Sequence, residues 1–181
     1  MAFSAAQTIT PSQDMGEKFK WEQGKRYAAG LIPMRRDENG QLQVLLVKRS
    51  HLVLKGGSWA TPAGGASPRK DRNPLMAAIR ESQEELGFAP LGKVNTEPYV
   101  LTNPKSSRVF HGYVWLVDES NFTPNLNWEN SAAKWTPLSD IKADDPTLMG
   151  ECAAVLTHLA NSVAPAESPA TPVTPADAPT K

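Results

Sequence analysis

The chain has a single cysteine, Cys152, among its 181 residues, which excludes an internal disulfide framework and a cysteine-built zinc site. It also lacks an excess of either charge. Nineteen Lys and Arg balance nineteen Asp and Glu, so there is neither the broad basic field of a nucleic-acid binder nor the strong acidity of a disordered chain. No stretch approaches the roughly 20 apolar residues of a membrane span. The opening MAFSAAQTITPSQDMG does not pass from a basic start into an apolar run. These absences predict a soluble, cytoplasmic protein with no nucleic-acid or membrane partner.

Proline is plentiful but unevenly placed. From Val163 the chain reads VAPAESPATPVTPADAPTK, which cannot build a core, so residues 163–181 are expected to form a Pro/Ala/Thr-rich disordered tail. Residues 1–20 are polar and aperiodic and are read as a partly flexible N-terminal segment. Residues 21–162 remain, a size suited to one domain.

Within it, Arg26–Met34 and Gln43–Lys48 read as strands joined through Asn39-Gly40, a strong hairpin signal. A glycine-rich stretch, LKGGSWATPAGGAS, leads to Pro74–Leu86, where Leu75, Ala78, Ile79, Ser82 and Leu86 recur at helical spacing. Tyr99–Thr102 and Arg108–Asp118 read as further strands, and Thr147–Leu159 as a closing helix. Strands interleaved with two long helices predict an α/β layered domain.

The helix also carries Arg80, Glu81, Glu84 and Glu85, which helical spacing assigns to an arc facing away from its apolar side. On a generic helix such residues form a solvated face, with Arg80 paired to Glu84 at i,i+4. Here three acids stand against one base, after glycines that let backbone come close to a ligand. A hard divalent cation such as Mg²⁺ would resolve the repulsion, taking carboxylate oxygens together with water and substrate phosphate.

The run Arg80-Glu81-Ser82-Gln83-Glu84-Glu85-Leu86-Gly87-Phe88 resembles the second half of the Nudix box, with Ser82 where the family carries an apolar residue. The preceding Trp59-Ala60-Thr61-Pro62-Ala63-Gly64-Gly65 resembles the family's approach to that box. The first half departs. At the family's spacing the expected glutamate falls on Arg72 and the expected glycine on Ala66; a loop one residue longer brings Asp71 and Gly65 into those places, with Asp71 as the substitute for the glutamate. Glu129 lies six residues before Trp135 in WENSAAKWTPLSDI, and the Trp-Thr-Pro-Leu run is similar to the family's segment after its last strand.

The resemblance implies a Nudix-type α/β/α sandwich with a mixed central sheet and a catalytic loop-helix-loop. It implies that Glu81, Glu84 and Glu85, with the Gly64 or Gly65 carbonyl, hold Mg²⁺ or Mn²⁺; that Arg80 orients the glutamates; and that Glu129 is a general base or further ligand. The implied function is a metal-dependent pyrophosphohydrolase acting on a nucleoside diphosphate linked to another group, by direct attack of water. The alternative is a catalytically silent nucleotide-binding module. Pro62-Ala63-Gly64 and Pro104 resemble features of the ADP-ribose branch, whereas Glu129 resembles the nucleoside-triphosphate branch. Trp21, Tyr99, Phe110 and Trp128 are aromatics able to stack on a base or to pack. The resemblance also allows a homodimer, on which no residue here decides.

Overall fold

Two apolar runs lie side by side at the middle of one mixed sheet. The computed structural model describes residues 7–8, 18–87, 92–103, 105–117 and 122–163. Among these, nine strands share the sheet: β1 (Gln7–Thr8), β2 (Arg26–Arg36), β3 (Leu42–Arg49), β4 (Trp59–Ala60), β5 (Ala63–Ala66), β6 (Gly92–Val94), β7 (Tyr99–Asn103), β8 (Arg108–Val117) and β9 (Asn130–Pro137). Helices α1 (Pro74–Leu86) and α2 (Gly150–Val163) complete the described fold, with a short 3-10 turn at Leu138–Asp140. Phe88, Pro104 and Asp118 fall outside the described residues. So do the proposed tail beyond Val163, which closes α2, and most of the 1–20 segment.

β2 and β8 run parallel from Arg26↔Arg108 to Met34↔Leu116. Being central, both are apolar on two faces rather than one. Ala28, Ile32 and Met34 of β2, with Phe110 and Val114 of β8, pack toward Val155, Leu156 and Leu159 of α2. Ala29 and Leu31, with Tyr113 and Trp115, pack toward Leu75, Ala78, Ile79 and Leu86 of α1. The α/β/α sandwich follows from this alternation.

The hairpin between β2 and β3 closes as expected. Asp37 Oδ1 accepts from the backbone of Asn39 and Gln41 at 2.9 and 2.8 Å, and Gly40 takes the left-handed conformation at φ +79°. The two strands stay paired only over Met34–Arg36; β3 then pairs with β9, and β2 takes β5 as its neighbour over Tyr27–Gly30. On the other side β8 pairs with β7 near its start and β6 near its end. The sheet therefore opens where β3 and β5 part.

Beyond β2, β3 and β7, which run one or two residues longer than expected, and α2, which continues past Leu159 to Val163, three differences bear on the site. The glycine-rich approach is not all turn: Ala63–Ala66 is strand β5, held by β2 despite its poor intrinsic β preference. Trp135 lies within β9, opposite Leu45, rather than after the last strand. The closing helix starts at Gly150, not Thr147, because residues 147–149 are drawn to β4: Trp59 N donates to the Thr147 carbonyl at 2.8 Å and Met149 N to the Trp59 carbonyl at 2.9 Å.

Candidate active site

Helix α1 starts where its capping chemistry directs. Asn73 accepts from Met76 N at 3.0 Å, Pro74 occupies the first turn, and Gly87 ends the helix at φ +82° with its N–H on the Gln83 carbonyl. Ser82, at the position the family fills with an apolar residue, is fully buried, and its hydroxyl has no hydrogen-bond partner among the described residues. Ser82→Ala is therefore expected to stabilise the domain by about 1 kcal/mol, measured as a rise in the urea midpoint, with activity unchanged.

The acid face is less uniform than its sequence suggests. Glu84 has a side chain 56% exposed, whereas Glu85 is only 3% exposed. The expectation that all three glutamates face away from the core is corrected for Glu85. At about 100° per residue it stands only about 20° around the axis from Ala78, which is buried against the sheet. The turn before β9 covers that flank, with Asn127 N donating to the Glu85 carbonyl at 3.4 Å.

Burial pushes the Glu85 carboxyl up to about 8 from an ordinary value of 4.5, and the charges of Glu81 and Glu129 push the same way. Folded protein thus keeps a proton that unfolded protein has released. Without divalent metal, stability should fall as pH rises from about 4.5 to about 8, and Glu85→Gln should flatten that slope. Thermal melts across this range check both.

Arg80 organises the site. Its Nε and Nη2 donate to the two oxygens of Asp71 at 3.0 and 3.2 Å, its Nη1 to Glu81 and Glu84 at 2.7 and 3.3 Å, and its Nη2 also to the Gly65 carbonyl at 2.9 Å. The Asp71 carboxylate, 2% exposed, also accepts from Ser67 N at 3.1 Å. Asp71 thereby ties the lengthened loop to the helix through a bidentate pair. These partners hold the guanidinium firmly protonated, Asp71 foremost. Glu81 lies directly over Gly64, where an added Cβ would strike the end of its side chain, so any other residue there would displace the Glu81 carboxylate from this position. Burial raises the Glu81 carboxyl; Arg80 opposes this, while Glu84 and Glu129 add to it.

Glu81, Glu84 and Glu129 line a cleft of about 940 Å³, together with Gly64, Gly65 and Arg80. Glu85 does not reach its surface but lies close enough to feel the Glu81 and Glu129 charges. Sequence reasoning missed the cations Arg49, Lys55, Lys70 and Arg108, which line the same cleft. The one signal for them was the Lys-Gly-Gly turn at 55–57.

Of the four aromatics, Phe110 lines the cleft. Trp21 instead packs edge-on against Phe19 and Tyr27 at 4.9 and 5.0 Å, and Tyr99 against His158 at 5.5 Å. Trp128 is 65% exposed, outside the cleft lining.

The donors on the acid face are oxygens only, which suits a hard divalent cation. Glu81 and Glu84 already converge on one positive nitrogen, Nη1 of Arg80. The acids converge rather than close: among the described residues no three His, Cys, Asp or Glu side chains surround a single point.

A family model of the NUDIX domain matches residues 24–155. The chain belongs to the Nudix family. The match spans the described sheet from β2 to β9 and enters α2, so the whole cleft lining lies within the Nudix domain. Over 122 residues this Nudix chain is 30% identical to Nudix hydrolase 15, mitochondrial, of Arabidopsis thaliana, covering 67% of this chain but 41% of that protein. The chain therefore spans less than half the length of that relative.

Solved structures show the same Nudix fold at low identity. The NUDIX domain of Shewanella oneidensis NrtR, complexed with ADP ribose, superposes with a TM-score of 0.56 at 19% identity, over 78% of this chain and 90% of that one. A NUDIX hydrolase from Nitrosomonas europaea gives 0.58 at 23% identity, over 79% and 74%. Among the described residues, no helix is long and apolar enough to cross a membrane.

Proposed function

We propose that this Nudix chain is a metal-dependent pyrophosphohydrolase that cleaves a nucleoside diphosphate linked to another group. The observation that carries the reading is the convergence of Glu81 and Glu84 on the Arg80 guanidinium beside Gly64 and Gly65, in a cleft that Arg49, Lys55, Lys70 and Arg108 also line. Glu81, Glu84 and Glu85, with the Gly64 or Gly65 carbonyl, would hold Mg²⁺ or Mn²⁺, which when bound neutralises phosphate oxygens and polarises the phosphorus.

The chain's own residues have separate tasks. Arg80, anchored by Asp71, sets the directions of Glu81 and Glu84 and keeps β5 against α1. Glu129 faces the same cleft and is the proposed base, accepting a proton from the water whose oxygen bonds to one phosphorus as the bridging P–O bond breaks. Gly64 leaves room for Glu81 at the strand. Burial pushes the Cys152 thiol up to about 11, which keeps it out of the chemistry.

The test is hydrolysis of a panel of nucleoside triphosphates, oxidised nucleoside triphosphates, ADP-ribose, NADH, dinucleoside polyphosphates and coenzyme A with Mg²⁺ and Mn²⁺. Metal-stimulated release of a nucleoside monophosphate or diphosphate from at least one supports the reading. Tight binding without turnover across the panel would favour a silent binding module.

A further inference from the structure

One buried donor beside α1 is unused. Asn130 opens β9 and is only 7% exposed, yet its amide nitrogen Nδ2 makes no hydrogen bond among the described residues. Such a nitrogen has given up water without gaining a partner, and a folded protein seldom keeps one without a use.

The turn that carries Asn130 is fixed against α1. Asn127 N donates to the Glu85 carbonyl at 3.4 Å, Glu129 N to Asn127 Oδ1 at 3.0 Å and Asn130 N to the Asn127 carbonyl at 3.2 Å. From β3, Ser50 N donates to the Glu129 carbonyl at 2.7 Å, and Asn130 pairs with Arg49 where the register of β3 and β9 shifts. Backbone thus gives two consecutive side chains different places: Glu129 lines the cleft and Asn130 turns inward.

Asn130 turns toward Glu85. Burial raises the Glu85 carboxyl, and of the groups that oppose burial the Asn130 amide is foremost, ahead of the Arg49 charge. The amide therefore faces the carboxyl without closing a full hydrogen bond on it. The cations that could answer Glu85 are engaged elsewhere. Arg80 donates to Asp71, Glu81, Glu84 and the Gly65 carbonyl, and Arg49 Nε to the Leu54 carbonyl at 3.0 Å. A carboxylate 3% exposed that offers one oxygen to a cation needs its other oxygen satisfied by the protein.

We propose that Asn130 is a positioning residue, whose Nδ2 donates to one Glu85 oxygen and so holds the other toward the divalent cation. This rests on the metal set proposed above; Asn130 itself touches neither cation nor substrate. An amide suits the task because it donates without charge, whereas Lys or Arg there would compete with the cation for the carboxylate.

The experiment measures Mn²⁺ affinity, from the paramagnetic resonance signal of the free ion, in wild type, Asn130→Leu, Glu85→Gln and the double variant, with a metal-free thermal melt of each. Asn130→Leu should weaken Mn²⁺ binding about tenfold or more. Its metal-free melting temperature should stay level or rise, because an unsatisfied buried donor is removed. A merely structural asparagine would instead lower the melt and spare the ion. In the Glu85→Gln background Asn130→Leu should change the affinity by less than about twofold, since the carboxylate it positions is gone. Should Asn130→Leu fail to fold, Asn130→Ala gives the same comparison. Unchanged Mn²⁺ affinity, an equal loss in both backgrounds, or a wild type that does not bind Mn²⁺ would overturn the proposal. Hydrolysis of the nucleotide panel separates this from the parent reading. Mn²⁺ binding that depends on Asn130 only while Glu85 is present, with no turnover of any substrate, would sustain the positioning role and defeat hydrolysis. Turnover with Mn²⁺ affinity indifferent to Asn130 would do the reverse.

Discussion

Glu84→Gln should lower kcat by about a hundredfold or more, equivalent to about 2.7 kcal/mol of lost transition-state stabilisation, with the melting temperature nearly unmoved. The two expectations have different physical origins. Glu84 is exposed and its pairing with Arg80 at 3.3 Å is an i,i+4 contact, of a kind worth only about 0.3–0.5 kcal/mol to the fold. Arg80 keeps Asp71, Glu81 and the Gly65 carbonyl when Glu84 is neutralised, so the helix stays seated. A proposed metal-binding carboxylate is a different matter, since an amide supplies no negative charge to offset the cation. Single-turnover kinetics at saturating Mg²⁺, with a thermal melt of the same preparation, read both. Full activity in Glu84→Gln would remove Glu84 from the proposed metal set.

Leu86→Asp should abolish the folded domain. Leu86 is fully buried among Leu31, Leu45, Val47 and Trp115, where α1 meets the sheet. Replacing it removes about 2–3 kcal/mol of apolar burial and leaves a carboxyl in a place with no cation to answer it, which costs several kcal/mol more. Together these approach the whole stability of a typical domain, about 5–15 kcal/mol. Loss of the cooperative transition in circular dichroism, at any Mg²⁺ concentration, is the expected result. A cooperative melt within a few degrees of wild type would mean that Leu86 does not seat the helix.

The contrast between these two residues shows what was legible in the sequence. α1 could be read in place because Asn73-Pro74 opens it, Gly87 closes it and the apolar residues keep a 3.6 period between. β2, β3, β7 and β8 declare themselves by apolar, β-branched or aromatic content and by the Asn-Gly turn. β5 does not, because Ala-Gly-Gly-Ala becomes a strand only through its pairing with β2. β9 was hidden likewise: its Ser-Ala-Ala-Lys segment has little β preference, and β3 supplies the partner.

The site was legible in its residue types but not in its environments. Arg80, Glu81 and Glu84 lie together as the helical period requires. The burial of Glu85 depends on a turn some forty residues later in the chain, which no local period encodes. Asp71 could be singled out by one-residue spacing, yet its hold on Arg80 and on Ser67 N required the folded loop. Lys55 carried no periodic signal, and only the folded cleft brings it onto the same lining as Glu81 and Glu84.

The parallel pairing of β2 with β8 also bears on how the chain is made. During synthesis the hairpin of β2 and β3 emerges early, and the β2 edge that β8 will cover stays open until roughly eighty further residues have followed. Over that interval Ala28–Met34 offers an apolar strand with an unsatisfied edge, the kind of surface that recruits another nascent chain. Central assembly is therefore a late event, and a ribosome stalled before Arg108 would carry a nascent chain prone to aggregation rather than a smaller working domain.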